Sequence, residues 1–175
     1  MAWRGWASLA MLGMAAPAAA SDLFGGVFKH AVDTPLTKEI GEGGIDVQLG
    51  YRFDPIVRVG PLGGPAPYLL GSINSRGDTS FAAAGVGWRF GGPIYLRPGI
   101  GVAVQSGPSY RVDARNQRTD LGSRIVFEPE LGIGFQLLPR ITLEANWTHL
   151  SHAQIFGRQN PGLDMIGARI NLHLP

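Results

Sequence analysis

Ile141-Thr-Leu-Glu-Ala-Asn-Trp-Thr-His149-Leu-Ser151 and Asp164-Met-Ile-Gly-Ala-Arg-Ile-Asn-Leu-His-Leu174 decide the fold. Both stretches alternate. Ile141, Leu143, Ala145 and Trp147 share one face of the first, and Thr142, Glu144, Asn146 and Thr148 share the other. In the second, Ile166, Ala168, Ile170, Leu172 and Leu174 stand opposite Arg169, Asn171 and His173. A β-strand has a side-chain period of two, so parity assigns faces. The polar loop between the stretches makes them a hairpin. His149 and Ser151 continue the apolar parity of the first strand, and Asp164 begins that of the second. A histidine, a serine and a carboxylate thus gather at one end of the hairpin, on its apolar side.

Working outward, the same alternation predicts eight strands. Residues 22–30 suit the first. In residues 45–53, Ile45, Val47, Leu49, Tyr51 and Phe53 alternate with polar or small residues. Residues 66–74 and 81–90 follow, the latter with Ala84, Val86, Trp88 and Phe90 in phase, and then residues 94–105. Residues 125–137 place Glu128, Glu130 and Gln136 opposite an apolar face. Pro98 and Pro129 lie inside these segments and lack a ladder donor, which predicts local bulges or bends. Residues 91–93 and 138–140 are tight turns, whereas 31–44, 106–122 and 152–162 are long and polar. Short turns at one end and long loops at the other are the pattern of an outer-membrane barrel. The predicted fold is therefore all-β, an eight-stranded antiparallel transmembrane β-barrel. Ile141, Leu143, Ile170 and Leu172 should face outward. Arg52, Glu128, Glu130, Glu144, Asn146 and Arg169 should fill the narrow lumen as ion pairs and hydrogen bonds. Trp88 and Trp147 fit aromatic girdles.

Composition agrees with that class. Arg4, an apolar run through Leu9, Met11, Leu12 and Met14, and Ala18-Ala-Ala20 have the order of a secretory signal peptide. Removing residues 1–20 from 175 leaves 155, residues 21–175, a length suited to one domain. There is no cysteine to cross-link a secreted domain, so it must be stabilised by other means, of which closure of a barrel is one. No later stretch approaches the roughly 20 apolar residues of a spanning helix. A net charge of +2 without a basic cluster argues against nucleic acid as a partner. The four histidines are His30, His149, His152 and His173, and no carboxylates join them in a metal-ligand pattern. A metal or other cofactor is not expected.

A serine hydroxyl is a weak nucleophile at neutral pH. It needs a base within hydrogen-bond reach, and the base needs an acid to orient it. His149 lies two residues from Ser151 on one strand face, and Asp164 is in phase across the hairpin. His-x-Ser alone more often marks polar residues where a strand leaves the membrane; the third member on the neighbouring strand raises the odds.

Trp147-Thr-His149-Leu-Ser151-His-Ala153, followed by Asn160-Pro-Gly162-Leu-Asp164, resembles the catalytic hairpin of the PagL-type lipid A 3-O-deacylases, grouped as acyloxyacyl hydrolases. Those proteins are eight-stranded outer-membrane barrels with a His-x-Ser-Asn-Ala element near the C-terminus, then an Asn- and Gly-containing turn with the triad carboxylate. The resemblance implies that His149 is the general base, Ser151 the nucleophile and Asp164 the orienting acid. It implies hydrolysis of the ester-linked 3-hydroxyacyl chain at position 3 of lipid A, without a cofactor, at the outer-leaflet rim of the bacterial outer membrane. Lipid A and outer-membrane lipids would be the partners, and a homodimer is compatible with the family. This chain has His152 where the family has asparagine, which makes His152 the candidate oxyanion donor, through its ring or its backbone amide. The carboxylate is Asp, where some members use Glu. Two other readings remain open: a non-catalytic barrel with a structural or adhesive role, and a secreted soluble barrel with an apolar ligand inside.

Overall fold

The alternating segments form strands in the computed structural model, which describes residues 21–37, 41–57, 64–107, 121–155 and 160–175. The predicted signal peptide, residues 1–20, lies outside the described residues. In chain order the strands are β1 (Asp22–Lys29), β2 (Ile45–Arg52), β3 (Ala66–Asn74), β4 (Phe81–Gly87), β5 (Phe90–Gly91), β6 (Ile94–Gln105), β7 (Ile125–Leu138), β8 (Ile141–Leu150) and β9 (Leu163–His173). All pair antiparallel to their neighbours. The first strand joins the last through β1–β9, and β4 pairs directly with β6, so the sheet closes without a free edge. The two-residue β5 continues β4 in the same register against β6. The architecture is thus a closed eight-stranded antiparallel barrel.

Parity is resolved by burial. On the wall, Ile73 is 71% and Ile94 74% exposed, with Val47, Leu49, Ile133 and Ile170 also exposed. Inside, Glu128 and Arg169 are 0% exposed. An apolar exterior around a charged interior fits lipid on the outside, because a closed barrel leaves no unpaired backbone edge in the hydrocarbon. It overturns the soluble ligand barrel, which needs the opposite arrangement. Ile170 and Leu172 face outward as expected; Ile141 and Leu143 are half-buried on the same face.

The lumen is filled by a charge network. Arg169 Nη1 donates to Glu130 Oε2 at 2.6 Å and its Nη2 to Gln48 Oε1 at 2.8 Å. Arg97 Nε donates to Glu144 Oε2 at 2.9 Å, and Arg52 Nη1 to Asp22 Oδ2 at 3.1 Å. Tyr68 donates its hydroxyl proton to Glu128. Gly132 and Gly134 make the room: a Cβ would stand 2.5 Å from Glu144 and 2.2 Å from the Tyr95 ring, respectively. Toward the long loops Phe28, Leu121, Val126, Leu150, Leu163 and Met165 are buried together, beside buried polar side chains of His30, Asp46, Asn74, Thr79 and Gln105.

The prolines do not bulge as expected. The β6–β7 register runs unbroken through Pro98↔Leu131 and Ile100↔Pro129. Their effect falls on the opposite neighbour. Trp88 N donates to Pro98 O at 2.9 Å, but proline has no N–H to return the bond, and the ladder between β4 and β5 lapses there. The one register shift recorded between β7 and β8 lies at Gln136/Leu138, beside the Pro139-Arg140 turn.

Candidate functional site

Local sequence places the predicted residues in register. His149 and Asp164 are direct cross-strand partners in β8–β9. Ser151 exchanges backbone bonds with Phe127 of β7, at 2.7 and 3.1 Å, so the backbone groups of Ser151, and two residues back those of His149, point to β7. His149↔Asp164 is therefore a non-hydrogen-bonded pair, the kind in which opposed side chains approach most closely. The buried Leu150 and Leu163, which also pair, fix the backbone from inside.

The His149 ring nitrogen Nδ1 lies 2.5 Å from Asp164 Oδ1. A carboxylate accepts, so Nδ1 carries the proton and Nε2 is left as the basic nitrogen. The ring stacks on Trp147, with centroids 5.8 Å apart and planes at 27°. Gly162, at φ +72°, closes the other side; a Cβ there would come within 2.8 Å of His149 Cε1. Ser151 is half-buried, two residues along. Among the described residues, no hydrogen bond joins Ser151 Oγ to His149; catalytic contacts of this kind are commonly loose before substrate binds.

His152 is wholly buried, not a solvated loop residue. Its backbone amide donates to Asn160 Oδ1 at 3.1 Å. Ala153 and Gln154, at φ 52° and 60°, turn the chain sharply after it. Two non-glycine residues in the left-handed region mark a backbone held by its surroundings.

Two contributions were invisible in the sequence. The β1–β2 connection folds over the outward carboxylate: Val32 N donates to Asp164 O at 2.9 Å, and Thr34 donates its hydroxyl proton to Asp164 Oδ2. Asp164, on lipid-facing parity, is consequently 0% exposed. At the foot of that connection, His30 Nδ1 meets Asp46 Oδ2 at 2.7 Å and its Nε2 meets Glu42 Oε2 at 2.8 Å. Burial acts to lower the His30 pKa, but the Asp46 and Glu42 contacts outweigh it and push it up to about 9. Neither residue carries a local motif, since both act through partners distant in the chain. Among the described residues, no group of three or more His, Asp or Glu is arranged to hold a metal ion.

The family model for lipid A 3-O-deacylase (PagL) matches residues 47–173. The lipid A deacylase PagL of Bordetella bronchiseptica is 35% identical over 79 residues, 45% of this chain. That match spans 40% of the relative's length. Among solved structures, the outer membrane enzyme PagL superposes with a TM-score of 0.60 at 17% identity, over 88% of this chain and 99% of that one. A de novo designed transmembrane β-barrel reaches 0.53 at 12% identity, over 89% and 98% of the two chains. The neisserial surface protein A also reaches 0.53 at 12% identity, over 87% and 96%. At these identities the structural likeness concerns the fold.

Proposed function

Because the chain belongs to the lipid A 3-O-deacylase family, we propose that it is a serine esterase of the bacterial outer membrane that removes the 3-hydroxyacyl chain ester-linked at position 3 of lipid A. The observation that carries the chemical part is the His149 Nδ1–Asp164 Oδ1 contact of 2.5 Å, on the lipid-facing side of β8 and two residues from a serine.

In this reading His149 Nε2 accepts the proton of Ser151 Oγ as Oγ attacks the ester carbonyl. The tetrahedral intermediate carries its negative charge on the former carbonyl oxygen, for which His152 is the candidate donor. Collapse expels the sugar O-3, which takes the proton from His149 and leaves an acyl-serine. Water, deprotonated by His149, then attacks the acyl carbon and releases the 3-hydroxy fatty acid and free Ser151. Asp164 stays ionised and holds the imidazole in the tautomer both half-reactions need. The acyl chain would lie along the outer wall past Ala145 and Trp147, and water would enter from the loop end.

Mass spectrometry of lipid A from cells with and without the protein tests this. The expected result is loss of one 3-hydroxyacyl mass, with the free fatty acid recovered. Unchanged lipid A in cells whose outer membrane contains the folded barrel would leave the non-catalytic barrel as the better reading.

A further inference from the structure

A carboxylate that orients a catalytic histidine has two oxygens, and the second needs a partner once it is taken out of water. Asp164 is fully buried, and Oδ1 is engaged by His149. Its Oδ2 receives the hydroxyl proton of Thr34, from a connection 130 residues away in sequence. We infer that Thr34 is a positioning residue, one that holds Asp164 in the plane required to orient His149; this rests on the serine-esterase reading above.

The connection is built to present that hydroxyl. Thr34 Oγ1 accepts the Leu36 amide at 3.1 Å, so its single proton is directed outward to Asp164. Thr37 N donates to Thr34 O at 3.2 Å, closing a turn whose second residue is Pro35, which restricts Thr34 to extended conformations. Thr37 Oγ1 in turn accepts the Thr34 amide at 3.1 Å. Val32 N on Asp164 O fixes the same segment to the β9 backbone. The foot of the connection is tied down by His30 between Glu42 and Asp46. A turn residue with a purely local role would satisfy itself inside its own turn. Thr34 instead sends its only proton to the carboxylate that His149 uses. Without that donor, Oδ2 loses its partner, and the carboxylate can rotate away from Nδ1.

The test uses the full chain in detergent micelles with lipid A carrying the position-3 ester, comparing wild type, Thr34→Val and Thr34→Ser. Unboiled fast migration in electrophoresis verifies the folded barrel. Thr34→Val should lower kcat about tenfold or more, the loss matching one hydrogen bond to a charged group, with KM within about twofold. Thr34→Ser should restore most of kcat. In a second arm, the downfield proton resonance of the His149 Nδ1–H···Asp164 bond should shift or broaden in Thr34→Val and return in Thr34→Ser. A wild-type kcat in Thr34→Val, or an unmoved resonance, overturns the positioning role. A wild-type protein with no turnover would sink the esterase reading alone, because the resonance still reports whether Thr34 holds Asp164.

Discussion

Pro129 stands opposite His149 in the β7–β8 register and interrupts the ladder there. The pairing Glu130↔Thr148 on one side and the bridge Phe127↔Ser151 on the other place it so. By strand geometry, the His149 carbonyl would receive its bond from residue 129, which has no N–H to give. The gap sits at the proposed base. Replacing Pro129 with alanine supplies the donor at a gain of about 1 kcal/mol but frees the unfolded chain by a similar amount. We expect barrel stability to change by less than about 1 kcal/mol, while a slowly exchanging amide appears at position 129. Rapid exchange at that amide would show that the strand is distorted there for another reason.

For the triad, Ser151→Ala and His149→Ala should abolish ester hydrolysis, each by up to about a million-fold where the assay reaches, while the barrel still folds. Asp164→Asn should be less severe, nearer ten-thousand-fold, because the orienting member contributes less than nucleophile or base. Fatty-acid release from purified variants checks both. Activity near wild type in Ser151→Ala would end the acyl-transfer assignment.

His152 offers a sharper comparison as the candidate oxyanion donor, with its amide already donating to Asn160 Oδ1. We expect His152→Asn to retain or raise turnover and His152→Ala to lower it about 100-fold, the usual effect of losing an oxyanion donor. Equal rates in all three proteins would remove the ring from the mechanism.

Inside the barrel, Arg169 faces Glu130 at 2.6 Å and Glu144 at 3.9 Å. Arg169→Ala should destabilise the barrel by roughly 3–5 kcal/mol, because it strands buried carboxylates. Pairing Arg169→Met with Glu130→Gln should recover much of that loss. Urea unfolding in detergent measures both, and an Arg169→Ala barrel as stable as wild type would mean the lumen is wetter than its packing indicates.

Stability should also depend on pH through His30. Its pKa in the fold is about 9, above the ordinary 6.5. The folded state therefore binds this proton more tightly than the unfolded chain. The contribution is complete below about pH 6.5 and is lost as pH rises through about 9. His30→Gln should flatten the fall in melting temperature over that interval; a parallel fall in both proteins would assign it to other groups.

What the sequence revealed follows from period two. Parity sorted the residues onto two faces and put His149 in phase with Asp164, because a strand couples position to face without knowledge of the rest of the chain; burial then showed which face is outside. Parity could not reveal Thr34 or His30, whose partners are fixed only when the barrel closes. Nor could it say where a proline's missing donor would be felt. Pro98 and Pro129 looked like sources of bulges, yet each keeps its register and leaves a gap on one neighbour. Nor does the parity of Asp164 show that the β1–β2 connection covers it.

Arg52, Arg97 and Arg169 lie across the lumen with Asp22, Glu144 and Glu130. An ion entering that space would have to break these buried contacts, and Phe28, Leu150 and Met165 add buried apolar packing. The barrel is consequently an insulator: inserted into a planar bilayer, it should carry no measurable current, and a cell could hold many copies without surrendering the permeability barrier in which they are embedded.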